Sequence, residues 1–369
     1  MERTAAYSAK PPVVVWECHH ICDGSCHHER PEGHSVSRER EFSTYEAHLL
    51  IQEIFTLSPE RLIFGGDTQG RKDLYQLLDL SRRRGLRAWV SLRSGRDLTP
   101  AVIDHLVDSG AAGVLFHIDA ATSELHDSIS GVEGSFDLTL DAIVNARIKG
   151  LPVDVVTGVW RQNLSQIEPL AEMLEDLNVP RWTLYLPVPF SFEPLDLPTP
   201  RETEELFQLL SRIDESSSFS IELQEGRHFD RFRIQRWMKE KKRWIIEHFD
   251  PAVTESLEQL LALPANASAP ETVFISHVGE VYLGMRMPYT GGNLHFESLE
   301  TAYHSSPVFQ MLRDRDLLRG KCGECEFRQI CGGSRARAYA MRSDPMESDP
   351  LCIYQPGRLS EEWVAALLR

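Results

Sequence analysis

Six short apolar, β-branched runs in the first 215 residues are spaced by segments with apolar residues at helical intervals. The runs are PVVVWEC, RLIFGGD, RAWVSL, GVLFHID, PVDVVTGVW and RWTLYLPV. Between and after them, helices are predicted over TYEAHLLIQEIFTL, KDLYQLLDLSRRRG, TPAVIDHLVDSG, SFDLTLDAIVNARIKG, SQIEPLAEMLEDLNV and residues 201–213. The first should bury Ala47, Leu50, Ile51, Ile54 and Phe55. Gly85 should close the second, and Ser135 and Gly150 should bound the fourth. Repeated βα units with short connections build a parallel sheet, open or curled into a barrel, and such folds bind ligands at the carboxyl ends of their strands. Two unusual segments, CHHICDGSCHHER and GGDTQGR, each follow directly on a predicted strand. Both therefore fall on the functional rim.

The rhythm fades after residue 215. DESSSFS reads as a loop, RFRIQRWMKEKKRWIIEHF as a basic helix and LPANASAPE as a linker. Residues 216–270 are therefore a bridge between a barrel-like unit (1–215) and a small C-terminal unit (271–369), which opens with a hairpin around Val278-Gly279-Glu280. Charge narrows the partners: 39 basic against 55 acidic residues leave −16, a surface that repels phosphate backbones, so nucleic acid is not expected. No run approaches the roughly 18 apolar residues of a membrane helix, so no membrane is expected. The start, MERTAAYSAKPP, lacks the layout of a signal peptide, which points to the cytoplasm. Nucleophile elbow, P-loop and dinucleotide fingerprint are all missing, so a hydrolase or ordinary dehydrogenase has no motif to stand on.

The seven cysteines sit at the two ends, at 18, 22 and 26 and at 322, 325, 331 and 352. In a reducing compartment such clusters point to metal. Cys322, Cys325, Cys331 and Cys352 read C-x2-C-x5-C-x20-C, a set of thiolates suited to an iron–sulfur cluster or to zinc. A zinc ribbon usually has two C-x2-C knuckles and this stretch has one, so iron–sulfur is the reading taken. Gly332 and Gly333 let the backbone approach a bulky core, and Arg335 and Arg337 are placed to offset thiolate charge. At the front, Cys18, Cys22 and Cys26 share a loop with His19, His20, His27, His28 and Glu29; the density of ligand-type residues suggests metal, and spacing alone leaves the ligands open.

The order of these parts resembles a radical S-adenosylmethionine (SAM) enzyme with a C-terminal SPASM-type auxiliary cluster domain. The strongest stretch is KCGECEFRQICGGSRARAYAMRSDPMESDPLC, which is similar to the tail of radical SAM enzymes from haem-type tetrapyrrole pathways. VVVWECHHICDGSC resembles the family's first strand and cluster loop, with Trp16 six residues before Cys22. IFGGDTQG resembles its glycine-rich SAM motif, HIDAATSELHDSISGVEGSF its fourth-strand segment, and RWTLYLPVP its sixth strand. The resemblance implies a partial (β/α)6 TIM-like barrel of radical SAM type followed by a small SPASM or twitch-like domain in a shortened, one-cluster version.

The resemblance also implies chemistry. Three ligands hold a [4Fe-4S] cluster whose fourth iron is chelated by SAM, and reductive cleavage yields a 5′-deoxyadenosyl radical that abstracts a substrate hydrogen. Cys22 and Cys26 match the first two positions of C-x3-C-x2-C, and Glu29 stands at the third; Cys18 is the other candidate, in a C-x3-C-x3-C arrangement. Gly65, Gly66 and Asp67 match the motif that holds the SAM ammonium, with Thr68 in place of its proline. His117 replaces a small hydroxyl residue, Ala120 a glycine after Asp119, and Ser130 an arginine near the SAM carboxylate. The implied cofactors are SAM, the first [4Fe-4S] cluster and an auxiliary [4Fe-4S] cluster on Cys322, Cys325, Cys331 and Cys352. The implied partners are a tetrapyrrole or peptide substrate and an electron donor protein. The alternative is a non-catalytic relative that keeps only the C-terminal cluster and assists an active partner enzyme.

Overall fold

The computed structural model describes residues 11–20, 41–92, 98–189, 197–247 and 271–357. β1 (Val13–His19), β2 (Arg61–Gly66), β3 (Ala88–Leu92), β4 (Gly113–His117), β5 (Val153–Gly158), β6 (Arg181–Tyr185) and β7 (Ser220–Gln224) lie side by side in chain order, each parallel to the next. On the free side of β1 the sheet continues with β8 (Thr272–Ile275), again parallel, then β9 (Glu280–Leu283) and β10 (Thr290–Asn293), both antiparallel to their neighbours. The connecting helices are α1 (Thr44–Leu57), α2 (Leu74–Arg84), α3 (Pro100–Asp108), α4 (Ser123–Ser130), α5 (Ser135–Ile148), α6 (Ile167–Asp176) and α7 (Pro200–Ser216); α8 (His228–Glu247) follows β7. Among the described residues no helix is long and apolar enough to cross a membrane.

Strand alternation divides the core. Val14, Trp16 and Cys18 point toward the helices and join one large cluster with Leu50, Ile51, Ile54, Phe64, Val90 and Phe116. Val13 and Val15 point the other way, to Ile63, Phe274 and Tyr282, and Trp89, Leu115 and Val156 pack together on that same side with Ile63 and Tyr185. The amino ends of the strands on this second side carry a charged group: Arg61 bonds Asp154 at 2.6 Å, Arg181 bonds Glu222 at 2.8 Å, and Arg61 lies 4.0 Å over the Trp89 ring. Burial pushes the Asp154 carboxyl up, against the pull of Arg61 and Arg181. Those ion pairs occupy one end, and the glycine-rich turn after β2 lies at the other.

Several local expectations need correction. In α1 the capping box of Ser43 and Glu46 starts the helix (Glu46 N to Ser43 Oγ 3.3 Å, Ser43 N to Glu46 Oε2 2.9 Å). Its inner face ends on Leu57; Phe55 is 43% exposed because it lies about 100° around from Ile54. Burying Leu50, Ile51 and Ile54 contributes roughly 1.5–3 kcal/mol each. Ser135 is the first residue of α5, not its cap. Gly134, in the left-handed region at φ 77°, precedes it, and the orphan N–H groups go to the Asp127 carboxylate at the end of α4: Gly134 N donates at 2.6 Å and Phe136 N at 2.9 Å. The polar segment that forms α4 carries too little apolar periodicity to announce a helix. The serine run read as a loop leads straight into β7, where Phe219, Ile221 and Leu223 alternate into the core.

Candidate functional site

The carboxyl end of β2 carries the glycine motif. Gly66 takes φ 78°, and a Cβ there would collide with the His19 carbonyl oxygen, so only glycine lets β2 pass this close to β1. Asp67 donates its backbone N–H to His19 O at 3.2 Å, and its Oδ1 accepts from Gly70 N at 3.1 Å, closing a tight turn over Thr68–Gly70. Thr68 is buried and its hydroxyl bonds Ser91 O on β3. Gly65, Gly66 and Asp67 thus form a rigid rim turn with backbone close-packed against β1.

β1 leads into this rim. Cys18 lies on the helix side of the sheet, fully buried, and its thiol donates to Gly65 O at 3.4 Å. Burial pushes that thiol up to about 12, against the pull of Arg71. Arg71 donates to Cys18 O (2.8 Å) and Phe42 O (3.2 Å) and lies 4.9 Å over the Trp16 ring. Glu17, one residue earlier, points to the opposite side, where its Oε2 meets His277 Nδ1 at 2.8 Å and the His20 ring stacks on His277 at 4.5 Å. Glu17, His20 and His277 are close enough to ligate one ion. His19 Nδ1 and His20 N both bond the Glu41 carboxylate, at 2.8 and 2.9 Å. Burial works to raise Glu41, but these two bonds hold it below the usual carboxylate range. Cys22, Cys26 and Glu29 lie outside the described residues.

Farther along the rim, Asn163 is fully buried and ties β4 to β5. Its amide donates to Asp119 O and Gly158 O, both at 2.7 Å, while its Oδ1 accepts from Trp160 N at 2.7 Å. Asp119 Oδ1 accepts from Gly158 N at 2.7 Å. His117 Nε2 reaches Ser91 Oγ at 3.4 Å. Ser130 bonds Ser135 Oγ at 2.8 Å, inside the turn that starts α5.

The four C-terminal cysteines come together. Cys322, Cys325, Cys331 and Cys352 line one cavity with His228, Arg231, Lys321, Phe327, Gly332, Gly333 and Tyr354. Backbone N–H groups already point at sulfur: Gly333 N to Cys331 Sγ at 3.3 Å and Asp349 N to Cys322 Sγ at 3.4 Å. Burial pushes the Cys325 thiol up to about 11 and raises Cys331 and Cys352 as well, with neighbouring thiolates adding to the first two. Desolvation that disfavours thiolates at Cys325, Cys331 and Cys352 is relieved by a cationic metal core, so the donor set of four cysteines fits an iron–sulfur cluster or zinc. Arg335 Nη2 lies 3.9 Å from Cys322 Sγ, as expected for charge compensation. Arg337 does not serve that role. It is fully buried against Asp349 (Nε to Oδ1 2.9 Å, Nη2 to Oδ2 2.8 Å) and donates to Pro187 O and Glu225 O. Arg231 and Lys321 stand at the cavity in its place. Gly332 and Gly333 both have positive φ, and Gly332 is closed in by the Arg315 guanidinium.

Sequence reasoning missed His228, Asp349, Asn163 and His277. His277 lies 260 residues from Glu17 and His228 about a hundred from Cys331, and Asn163 and Asp349 act through backbone and buried partners that no local spacing reports. His228 starts α8 and is fully buried; desolvation first, then Arg337 and Arg231, hold it down to about 3, so the ring is neutral.

The structure shows a parallel sheet with helical crossovers and a glycine turn at the end of its second strand, and residues 18–174 match the family model of the Radical SAM superfamily. Along nearly its whole length the chain is similar to an AdoMet-dependent heme synthase of Methanosarcina barkeri, 29% identical over 96% of this chain and 99% of that protein. It is also similar to a PqqA peptide cyclase of Bradyrhizobium diazoefficiens, 24% identical over 96% of this chain and 89% of the relative. In fold it matches Streptococcus suis SuiB bound to S-adenosylmethionine, with a TM-score of 0.64 at 12% identity over 94% of this chain and 78% of that one. The architecture is thus the partial TIM-like barrel of radical SAM proteins.

Proposed function

We propose that the chain is a radical SAM enzyme acting on a haem-type tetrapyrrole, with two [4Fe-4S] clusters. Cys22, Cys26 and Glu29 hold the first cluster, and Gly65, Gly66 and Asp67 hold the SAM amino group. Cys322, Cys325, Cys331 and Cys352 hold the second cluster, in a shortened SPASM-type domain. When bound, the first cluster and SAM supply a 5′-deoxyadenosyl radical by one-electron cleavage, with electrons from a donor protein. The chain's own residues orient and enclose. Gly66 keeps the β2 turn against β1, Asn163 fixes the ends of β4 and β5, and the second cavity is lined by Arg231 and Lys321, which offset thiolate charge.

The observation that carries the reading is the convergence of four cysteines, spread over 31 positions of the tail, on one buried basic-lined cavity. Similarity to the heme synthase supports the tetrapyrrole, and similarity to the peptide cyclase makes a peptide the alternative substrate. Glu29 is taken as third ligand because it holds the third position of C-x3-C-x2-C; Cys18, buried with its thiol on Gly65 O, is the alternative. The test is anaerobic reconstitution followed by iron analysis and assay for 5′-deoxyadenosine with dithionite. About eight irons per chain, and cleavage above a Cys22→Ala control, are expected for two [4Fe-4S] clusters. Cleavage no greater than that control refutes the enzyme reading.

One observation favours a second reading, a non-catalytic relative assisting an active partner enzyme. Ser130, where the family's arginine is expected, is tied into the α5 start through Ser135. About four irons per chain, all lost from a Cys322→Ala/Cys325→Ala variant, is its signature.

A further inference from the structure

His228 is a buried imidazole whose two ring nitrogens have no protein partner, and it lines the cavity of the four cysteines. A buried polar group left without a partner is costly, so this ring calls for one. The nearest acidic group is Asp349, with Oδ2 at 3.8 Å from His228 Nδ1. That carboxylate is already saturated. Its Oδ1 accepts from Arg337 Nε (2.9 Å) and Leu351 N (3.0 Å), and its Oδ2 from Arg337 Nη2 (2.8 Å) and Ser334 N (2.8 Å). Two oxygens offer about four lone-pair sites, and all four are filled. The ring cannot simply swing away, because Phe207 packs edge-on against it at 4.8 Å and 66°. What remains within reach of the imidazole is the space enclosed by the cysteines.

We propose that His228 donates a ring N–H to a sulfur of the cluster held by Cys322, Cys325, Cys331 and Cys352, and so raises the potential at which that cluster accepts an electron. The inference rests on the auxiliary-cluster reading above. Four cysteines already satisfy the four irons, so the imidazole is a donor to sulfur and not a ligand to iron. The physical effect has a definite sign: an N–H aimed at sulfur favours the more negative, reduced state. His228 is a positioning residue in this scheme. It sits at the start of α8, so one helix terminus links the β7 edge of the barrel to the cluster.

The test uses the full chain with Cys22→Ala and Cys26→Ala, which leaves the C-terminal cluster alone to be observed. His228→Leu removes the donor while keeping bulk; His228→Gln keeps an N–H. Potentiometric titration followed by EPR is expected to show about a tenfold lower reduced-to-oxidised ratio for His228→Leu at a fixed ambient potential, a downward shift of about 59 mV for one electron. His228→Gln should recover part of it. In the His228-containing protein, proton and nitrogen hyperfine spectra of the reduced cluster should show an exchangeable proton and only weak nitrogen coupling, the former lost in His228→Leu. Unchanged potentials overturn the inference, as does the absence of the exchangeable proton, which is readable even if His228→Leu fails to hold a cluster. Strong nitrogen coupling also overturns it, because it marks iron ligation. Failure of the underlying reading looks different: the His228-containing protein then carries no iron at all.

Discussion

Replacing Asp349 with asparagine should be among the most damaging single changes outside the metal ligands. Asp349 and Arg337 are both fully buried, and the guanidinium also donates to Pro187 O at 3.1 Å and Glu225 O at 2.6 Å, just past β6 and β7. The pair therefore fastens the cysteine-rich tail to the sheet. Asparagine removes the countercharge and leaves a buried cation, which costs about 3–5 kcal/mol. Arg337→Met should cost a similar amount, because it strands the carboxylate and two carbonyl oxygens. The double variant Arg337→Met/Asp349→Leu should cost less than the sum of the singles by 2 kcal/mol or more, on the order of couplings seen in buried networks. Urea unfolding followed by far-UV circular dichroism gives all three values. Acid adds a second arm. Burial works to raise Asp349, but the Arg337 guanidinium and the hydrogen bond from Ser334 N hold it well below the usual carboxylate range. A depressed folded pKa gives stability that is full above the unfolded value near 3.9 and is lost as pH falls toward the folded one. The gap between wild type and Asp349→Asn should therefore narrow below about pH 4. Single variants that each cost under 1 kcal/mol, or a gap that widens in acid, would refute the account.

Asn163→Ala should cost about 2–4 kcal/mol by leaving Trp160 N and two carbonyls unpaired in the core, read from the midpoint of urea unfolding at unchanged slope. Gly66→Ala should fold poorly, since it adds roughly 1–3 kcal/mol of strain at positive φ and a collision with His19 O; soluble yield and thermal midpoint check this. Asp127→Ala should remove about 1 kcal/mol of capping from α5, a loss that shrinks in acid because hydrogen bonds from Phe136 N and Gly134 N, working against desolvation, depress the wild-type carboxyl. Cys331→Ser should cut iron by about four atoms per chain relative to wild type, measured by metal analysis after anaerobic reconstitution.

The barrel was legible because its signals are local. Val13–Trp16, Leu62–Phe64 and Val114–Phe116 are apolar runs, and Gly85 ends α2 in the left-handed conformation that only its type adopts cheaply. The four tail cysteines were legible from spacing alone, and they do meet at one cavity. What escaped is long-range. Arg337 looked like a cation for the thiolates, yet a carboxylate twelve residues on claims it. His228 lies about a hundred residues from Cys331, and nothing near it in sequence marks it as facing sulfur. Cys18 is buried with its thiol on Gly65 O, forty-seven residues away, a contact that no local spacing reports. Serine-rich DESSSFS hid β7 because turn formers dominate its first half while the alternation of Phe219, Ile221 and Leu223 only begins there.

The parallel pairing of β1 with β8, Val13 beside Thr272 through Trp16 beside Ile275, spans most of the polypeptide. During synthesis, the strand emerging first keeps an open hydrogen-bonding edge until residue 275 has left the ribosome. Such an edge invites pairing with other nascent chains, and closure over so long a separation is slow. The carboxyl end of β1 is thus presented before its neighbourhood is complete: Glu17 and His20 meet His277 only once that edge has closed. Maturation in the cell should follow release of the finished chain, with chaperone occupancy falling as the last hairpin docks.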